Sequence, residues 1–195
     1  MNRITNKGNY FINIFEKGVI MAKVRKMLGK ADSPYIISLM RLIETQSKNT
    51  IVKWCNEYAR EHILPIYEKD YPEDIRLKNA LNAVDEWLEG NMKLTEAKKI
   101  IKEVQIAARE AEGNPAAQAS ARAIGATTST INTVTSSLGL AFYGAAAIAY
   151  TSIGVNADSD VYEEIAAREC KNMEEALRKV AIIDEPNPAK INWYC

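Results

Sequence analysis

The longest uncharged stretch of the chain constrains its fold more than any other feature. Arg122 and Asp158 enclose 35 residues without a single charge, in a sequence of which 26% of residues are charged. Most of residues 123–157 are Ala, Gly, Ser or Thr, with a few large apolar side chains between them. Three structures are compatible with this composition: a membrane span, a buried helical core built from small residues, or a flexible loop rich in Ser and Thr.

The composition within this stretch favours the buried core. A membrane span needs roughly 20 predominantly apolar residues. Residues 127–137 are too polar for that, and residues 138–155 contain three glycines and lack the flanking Lys/Arg cluster or Trp belt of a typical span. A helix surrounded by neighbours can be apolar or small on all sides. We therefore predict buried helices here and no association with a membrane.

The rest of the chain shows helical rather than strand periodicity. Apolar residues recur at helical spacing, no segment alternates at period two, and no Asn-Gly or Asp-Gly hairpin signal occurs. The length suits one buried core. We predict an all-α fold, a single irregular bundle of about six to seven helices with a small-residue core around residues 115–157. The predicted boundaries are a basic extension at 1–30, an all-α domain at 31–182 and a tail at 183–195.

Three local signals predict where helices bend or break. Pro65 lies inside a helical pattern, so we expect a kink or an early end there. The run Tyr71-Pro72-Glu73-Asp74 predicts the start of another helix, with acids in its first turn. Within the uncharged stretch, we predict that two helices are separated near Ser136–Gly139.

The charges are balanced overall but unevenly distributed. Residues 1–30 hold seven basic residues and one acidic residue, which leaves 18 basic and 24 acidic residues in the body. A nucleic-acid-binding protein normally presents a basic face, so this body argues against such a partner. A basic protein partner would suit it better. The sequence leaves the oligomeric state open, including a homo-oligomer.

The sequence contains no evident catalytic or metal-binding set. There is one histidine, His62, and the three cysteines lack metal-ligand spacing, which indicates reduced thiols in a cytoplasmic protein. The pairs Glu57/Glu61 and Asp70/Asp74 could share a cation on a helix, although solvated helix faces explain them as well. The hydroxyls of residues 127–137 are expected to bond to helix carbonyls. We therefore expect no enzyme, no cofactor and no metal.

Arg109 and Arg122 lie in segments that are otherwise small or apolar, and two interpretations remain open for them. They could form structural ion pairs between helices, since arginine suits such pairs. Alternatively, they could shape a recognition groove. A related hypothesis is a small-molecule-binding or enzymatic bundle, with a pocket lined by residues 127–137 and capped by either arginine.

Several segments together resemble one protein family. The resemblance covers roughly residues 50–150 and rests on their order along the chain more than on any single motif. The matching segments are WCNEYAR (54–60), ILPIYE (63–68), PEDIR (72–76), ALNAVDEWLEG (80–90), AAREA (107–111) and AAQASARAIG (116–125). This series is similar to the immunity-five-like helical family of bacterial toxin–immunity systems. The chain departs from the family's pattern at Gln105, Asn132 and Ser136, near which other members often carry histidine.

The resemblance implies a small cytoplasmic protein that binds and neutralises a co-encoded toxin without catalysis. The cognate toxin protein would then be its partner. Such surfaces act through a few charged and aromatic anchors. If the helices pair antiparallel, one set of charged residues would gather at one end of the bundle. The candidate partner-binding residues are Glu57, Glu61, Asp70, Asp74 and Arg76.

Overall fold

A computed structural model describes residues 24–193 of the chain. Over this range the protein contains eight α-helices, one π-helical segment, one short 3-10 helix and no strand. The helices are α1 (Pro34–Glu44), α2 (Lys48–Tyr58), α3 (Leu64–Glu68), α4 (Arg76–Leu88), α5 (Leu94–Glu110), α6 (Pro115–Ser129), α7 (Ser137–Ile153) and α8 (Ser159–Val180). The π segment (Ala59–Ile63) joins α2 to α3 without a break, so the described chain forms seven helical rods. The predicted all-α bundle is confirmed.

Residues at the helix starts show why the elements begin where they do. Pro34 and Pro115 each occupy an early helical position, where the missing N–H costs nothing. The side chain of Asn114 caps α6 by accepting a hydrogen bond from the backbone N–H of Ala117 at 3.1 Å. Ser47 likewise caps α2. Local capping chemistry therefore sets several of the helix boundaries.

The rod made of α2, the π segment and α3 runs through the centre of the bundle. α2 contacts α4, α6, α7 and α8, while α1 packs on α8 and the remaining helices pack against their neighbours in sequence. Trp54 in α2 is 2% exposed, and its indole N–H donates to the carbonyl of Met173 in α8 at 3.0 Å. The core is therefore organised around α2.

Of the two outcomes expected at Pro65, a kink or an early end, the early end does not occur. The helix neither ends nor begins anew at the proline, because the extra residue of the π turn upstream absorbs the missing hydrogen bond and the helix continues to Glu68. The carbonyl of Ile63, inside the π segment, accepts a 2.8 Å hydrogen bond from the buried hydroxyl of Ser120 in α6. The distortion is thus fixed by a neighbouring helix.

The uncharged stretch forms α6 and α7, which pack closely against each other. A Cβ added at Gly139 would come within 2.4 Å of the Cβ of Ala126, so only glycine fits at this crossing. By length and composition, the segment Val134–Ile153 could cross a membrane, and 56% of its best window is buried inside the bundle. The predicted small-residue core around residues 115–157 is confirmed.

Two predicted boundaries were wrong in detail. The interruption lies at residues 130–136, and Gly139 is inside α7, because this glycine marks a close helix contact rather than a chain break. The helix expected from Tyr71 begins only at Arg76. The Asp74 carboxylate accepts a hydrogen bond from the backbone N–H of Arg76, which fixes residues 71–75 as a turn before α4.

The segments at both ends of the described range pack on the bundle. Leu28, within the predicted N-terminal extension, is 3% exposed, and its backbone N–H donates to the carbonyl of Phe142. Just after α8, the backbone N–H of Ile182 donates to the side chain of Gln46, and in the tail the Trp193 indole donates to Glu44 at 2.6 Å. From the sequence, residues 1–20 are predicted to be weakly ordered or docked late, and this prediction falls outside the described residues.

Candidate functional site

Two of the predicted partner-binding residues, Asp74 and Arg76, are engaged with each other. The Arg76 guanidinium donates to both carboxylate oxygens of Asp74, at 2.8 and 2.7 Å, and also to Glu110 in α5 at 2.5 Å. The Tyr67 hydroxyl donates to Asp74 at 2.6 Å. This network joins the end of the central rod to the start of α4 and the end of α5. We call these four residues the Asp74 network.

The charges of this network are strongly stabilised. Hydrogen bonds from Arg76 lower the pKa of Asp74 to about 2, and the bond from Tyr67 acts in the same direction although burial opposes it. Burial is in turn the main reason that the pKa of the Tyr67 hydroxyl is raised, with the bond to Asp74 adding to it. The Asp74 side chain is only 15% exposed. Its geometry is that of a structural ion pair, with little of the carboxylate left to meet a partner.

Asp70 also has a partner within the chain. The side-chain amide of Asn114 donates to Asp70 at 2.6 Å while its oxygen caps α6. Tyr67 and Tyr71 stack beside this contact, with ring centroids 4.9 Å apart. Asp70 and Asp74 therefore have different hydrogen-bond partners.

Glu57 and Glu61 are exposed members of the predicted set and have no strong partner among the described residues. Their side chains are 56% and 77% exposed, and each has only a weak contact, Glu57 with Lys53 at 3.8 Å and Glu61 with His62 at 3.7 Å. Glu57 lies 11 residues before the end of α3, which corresponds to about 16 Å along the rod. The five predicted residues are therefore spread along the rod and its end instead of forming one cluster.

Arg109 and Arg122 line one groove between α5, α6 and the start of α7. Among residues 24–193, neither guanidinium has a carboxylate within 4.0 Å or a side-chain hydrogen bond to another residue, whereas Arg60 and Arg76 are both ion-paired. Arg109 is exposed at the rim and Arg122 is half-buried. Of the two interpretations for these arginines, the described contacts match the groove rather than ion pairing.

The groove has an apolar floor and a positively charged rim. Its volume is about 460 Å³. The floor is formed mainly by Ile101, Val104, Ala108, Ala121, Gly125 and Ala126. The polar lining residues besides the two arginines are Gln105, Ser129, Ser136 and Tyr143, and none of the lining residues is acidic. The lining thus carries two positive charges in a body with an excess of acidic residues. We call this site the arginine groove.

The Ser- and Thr-rich segment contributes less to this groove than the pocket hypothesis requires. Only Ser129 and Ser136 from residues 127–137 line it, while Thr127, Thr128 and Thr130 are buried. Several of the hydroxyls bond to helix carbonyls as predicted, for example Thr128 to Ile124 at 2.9 Å and Ser129 to Gly125 at 2.7 Å.

Sequence reasoning missed two polar lining residues of the groove, Gln105 and Tyr143, as site residues, whereas Ser136 lies within the predicted segment 127–137. Gln105 lies one helical turn before Arg109 in α5, so an i, i+4 pattern could have placed these two on one face. No comparable signal was available for Tyr143, which reaches the groove only because Gly139 lets α7 approach α6.

Comparison with known families assigns most of the chain to one of them. Residues 41–176 match the model of the family described as Imm-5 like putative immunity protein. The chain belongs to this family. No curated protein and no solved structure matches the chain. The recognition made from the sequence motifs is thereby confirmed.

The region shared with the family includes both of the sites described above. The Asp74 network and the arginine groove lie entirely between residues 41 and 176, as do Glu57 and Glu61. Most of α1, the end of α8 and the packed terminal segments lie outside the match. The part of this immunity-family chain that carries the candidate sites is therefore the family domain itself.

Proposed function

We propose that this protein is a non-catalytic immunity protein that binds and neutralises a toxin encoded beside its own gene, in the cytoplasm of the producing cell. The single observation that carries the proposal is the family match over residues 41–176. The partner is a protein, and its surface is basic where it meets the acidic body of this chain. The proposal requires neither a cofactor nor an acid–base pair.

The exposed acids Glu57 and Glu61 are the best candidates for the toxin contact among the predicted set. Both carboxylates are more than half exposed and only weakly paired, so a cationic side chain of the toxin could bind them without breaking an internal network. Charges at an interface steer association and determine which partners bind. Asp70, Asp74 and Arg76 are less suitable, because each already has a hydrogen-bond partner within the protein at the end of the rod.

The first experiment asks whether the protein has a toxin partner. Each gene beside its own is expressed alone and together with this protein, and cell growth is measured. We expect one neighbouring gene to arrest growth, co-expression to restore it, and the two purified proteins to form a stoichiometric complex. If the toxic neighbour is found and co-expression leaves growth arrested, the immunity function is wrong.

The second experiment locates the surface. The double variant Glu57→Lys/Glu61→Lys reverses two exposed charges and should slow association with the toxin by about tenfold at low salt. The matched control is Glu175→Lys, which changes an exposed glutamate in the same i, i+4 relation to a lysine, Lys171, on α8. Equal binding by the double variant and the control would refute this surface and leave the immunity function intact.

A further inference from the structure

The arginine groove combines features of a small-molecule site that the toxin-binding function does not need. Three helices bound it, its floor is apolar, and its volume of about 460 Å³ falls within the roughly 300–1,000 Å³ typical of ligand pockets. It is lined by residues of α5, α6 and α7 together with Ser136, the last residue of the 3-10 helix. The site therefore belongs to a packed part of the bundle.

Among residues 24–193, most polar side chains of the groove can donate a hydrogen bond and have no acceptor. Within the described range, the side chains of Arg109, Arg122, Gln105, Ser136 and Tyr143 make no hydrogen bond to another residue. Ser129 differs, because its hydroxyl already donates to the carbonyl of Gly125 at 2.7 Å. A ligand in this groove would have two guanidinium groups and three neutral hydrogen-bond donors available to bind it.

The charge of the lining selects the ligand's chemistry. Two arginines with no carboxylate within 4.0 Å among residues 24–193 attract an anion, and a guanidinium binds a carboxylate or phosphate through paired N–H groups. The apolar floor favours a ligand that also carries a hydrocarbon or aromatic body. We propose that the arginine groove is a binding site for a small organic anion, a carboxylate or phosphate monoester whose apolar part lies against Val104, Ala108 and Gly125.

In the bound arrangement, the anionic group lies between Arg109 at the rim and the half-buried Arg122. The Gln105 amide, one turn before Arg109 on α5, and the Tyr143 hydroxyl from α7 can donate to the same oxygens. The apolar body covers the floor and is thereby removed from water. This site is independent of the toxin contact on the central rod, and its test does not require the toxin.

Binding is tested on the full chain with three probes: benzoate, phenyl phosphate and inorganic phosphate, with benzyl alcohol as the neutral analogue. Titration calorimetry at low ionic strength, combined with NMR of the Arg109, Arg122 and Gln105 side-chain N–H groups, gives affinity and location. We expect one saturable site for benzoate or phenyl phosphate, weaker binding of inorganic phosphate and of benzyl alcohol, and displacement by salt. The stronger of the two organic probes identifies the preferred anionic group.

Two variants test whether the anion binds in the arginine groove. The double variant Arg109→Gln/Arg122→Gln should lower the affinity for the organic anion by at least about tenfold, because two charge-assisted contacts are lost. Arg41→Gln is the matched control, since Arg41 is an exposed arginine of α1 with no carboxylate within 4.0 Å among the described residues. Urea unfolding of all variants verifies the fold.

Two results would overturn the proposal. The first is the absence of saturable binding for both organic anions at millimolar concentration. The second is equal binding by the double variant and by Arg41→Gln, which would mean that any anion binds elsewhere.

Discussion

Asp74 accepts four hydrogen bonds, one from the Tyr67 hydroxyl and three from the backbone and guanidinium of Arg76. These donors come from the end of the central rod and the start of α4. Glu110 extends the network to α5 through the same guanidinium. At the scale of single residues, the motif Asp-Ile-Arg at 74–76 therefore links three helices through side-chain hydrogen bonds. A motif that resembles a family signature can thus owe its residues to folding as much as to binding.

We expect Asp74→Asn to lower the free energy of unfolding at pH 7 by about 2 kcal/mol. The pKa of Asp74 is about 2 in the folded protein, against an ordinary value of 3.8, and each pKa unit corresponds to about 1.4 kcal/mol. Because the folded pKa is the lower one, this stabilisation is present above about pH 4 and is lost as the pH falls towards 2.

Urea unfolding of both proteins as a function of pH measures this effect. The difference between wild type and Asp74→Asn should stay constant from pH 7 to about 4 and narrow below that. Glu57→Gln serves as the control and should change stability by less than about 0.5 kcal/mol, because its ion pair is exposed. A difference that persists unchanged into acid would contradict the assigned role of the carboxylate.

The contacts between the helices depend on features that helix propensity alone does not describe. Pro65 is accommodated by a π turn, and Ser120 of α6 bonds to the carbonyl of Ile63 within that turn. Gly139 and Ala126 form the closest approach of α7 to α6. At the scale of elements, small residues are used where two backbones must approach closely. This contact also brings Tyr143 to the arginine groove.

Two glycines of this region should respond oppositely to the same substitution. Gly139→Ala forces a methyl group to within 2.4 Å of the Cβ of Ala126, so α6 and α7 must separate, and we expect a loss of about 1–3 kcal/mol. Gly125→Ala places its methyl group at an ordinary 3.5 Å from Val104 and should gain up to about 1 kcal/mol from helix propensity.

Thermal and urea unfolding of the two alanine variants compare them directly. Since both changes add one methyl group to a helix, each is the control for the other. If both variants change the free energy of unfolding equally and in the same direction, the contact between Gly139 and Ala126 does not limit how closely α6 and α7 pack.

On the scale of the whole molecule, the bundle encloses a helix that could cross a membrane by its length and composition. α7 packs against α6, α8 and the central rod, and 56% of its best window is buried. An added Cβ at Gly144 would lie 3.1 Å from Met173 of α8 and 3.3 Å from Ile63 of the π segment. The surroundings of α7 are therefore protein on several sides.

We accordingly expect the full chain to remain in the supernatant after cell lysis without detergent and high-speed centrifugation. The physical reason is that more than half of this apolar window is already buried against other helices of the bundle. A known inner-membrane protein followed in the same lysate is the control. Sedimentation with the membranes and release only by detergent would contradict the prediction.

The fold was largely predictable, since it depends on local signals. These signals depend on local sequence alone. They are the helical spacing of apolar residues, the proline and asparagine at helix starts, and the uncharged stretch. The start of α4 was predicted wrongly, because a side chain, Asp74, fixes the preceding turn. The interruption between α6 and α7 was misplaced towards Gly139, because a glycine required by a neighbouring helix looks the same in sequence as a glycine that ends one.

The sequence by itself determined the all-helical class, the small-residue core and the family, because periodicity and ordered motifs are properties of the chain alone. Only the tertiary structure decided what the charged residues do. It paired Asp74 with Arg76 and Glu110, left Glu57 and Glu61 exposed, and placed Arg109 and Arg122 on one groove. The physical reason is that the energy of a charge depends on its distance from other charges and from water, which the packing of distant segments fixes.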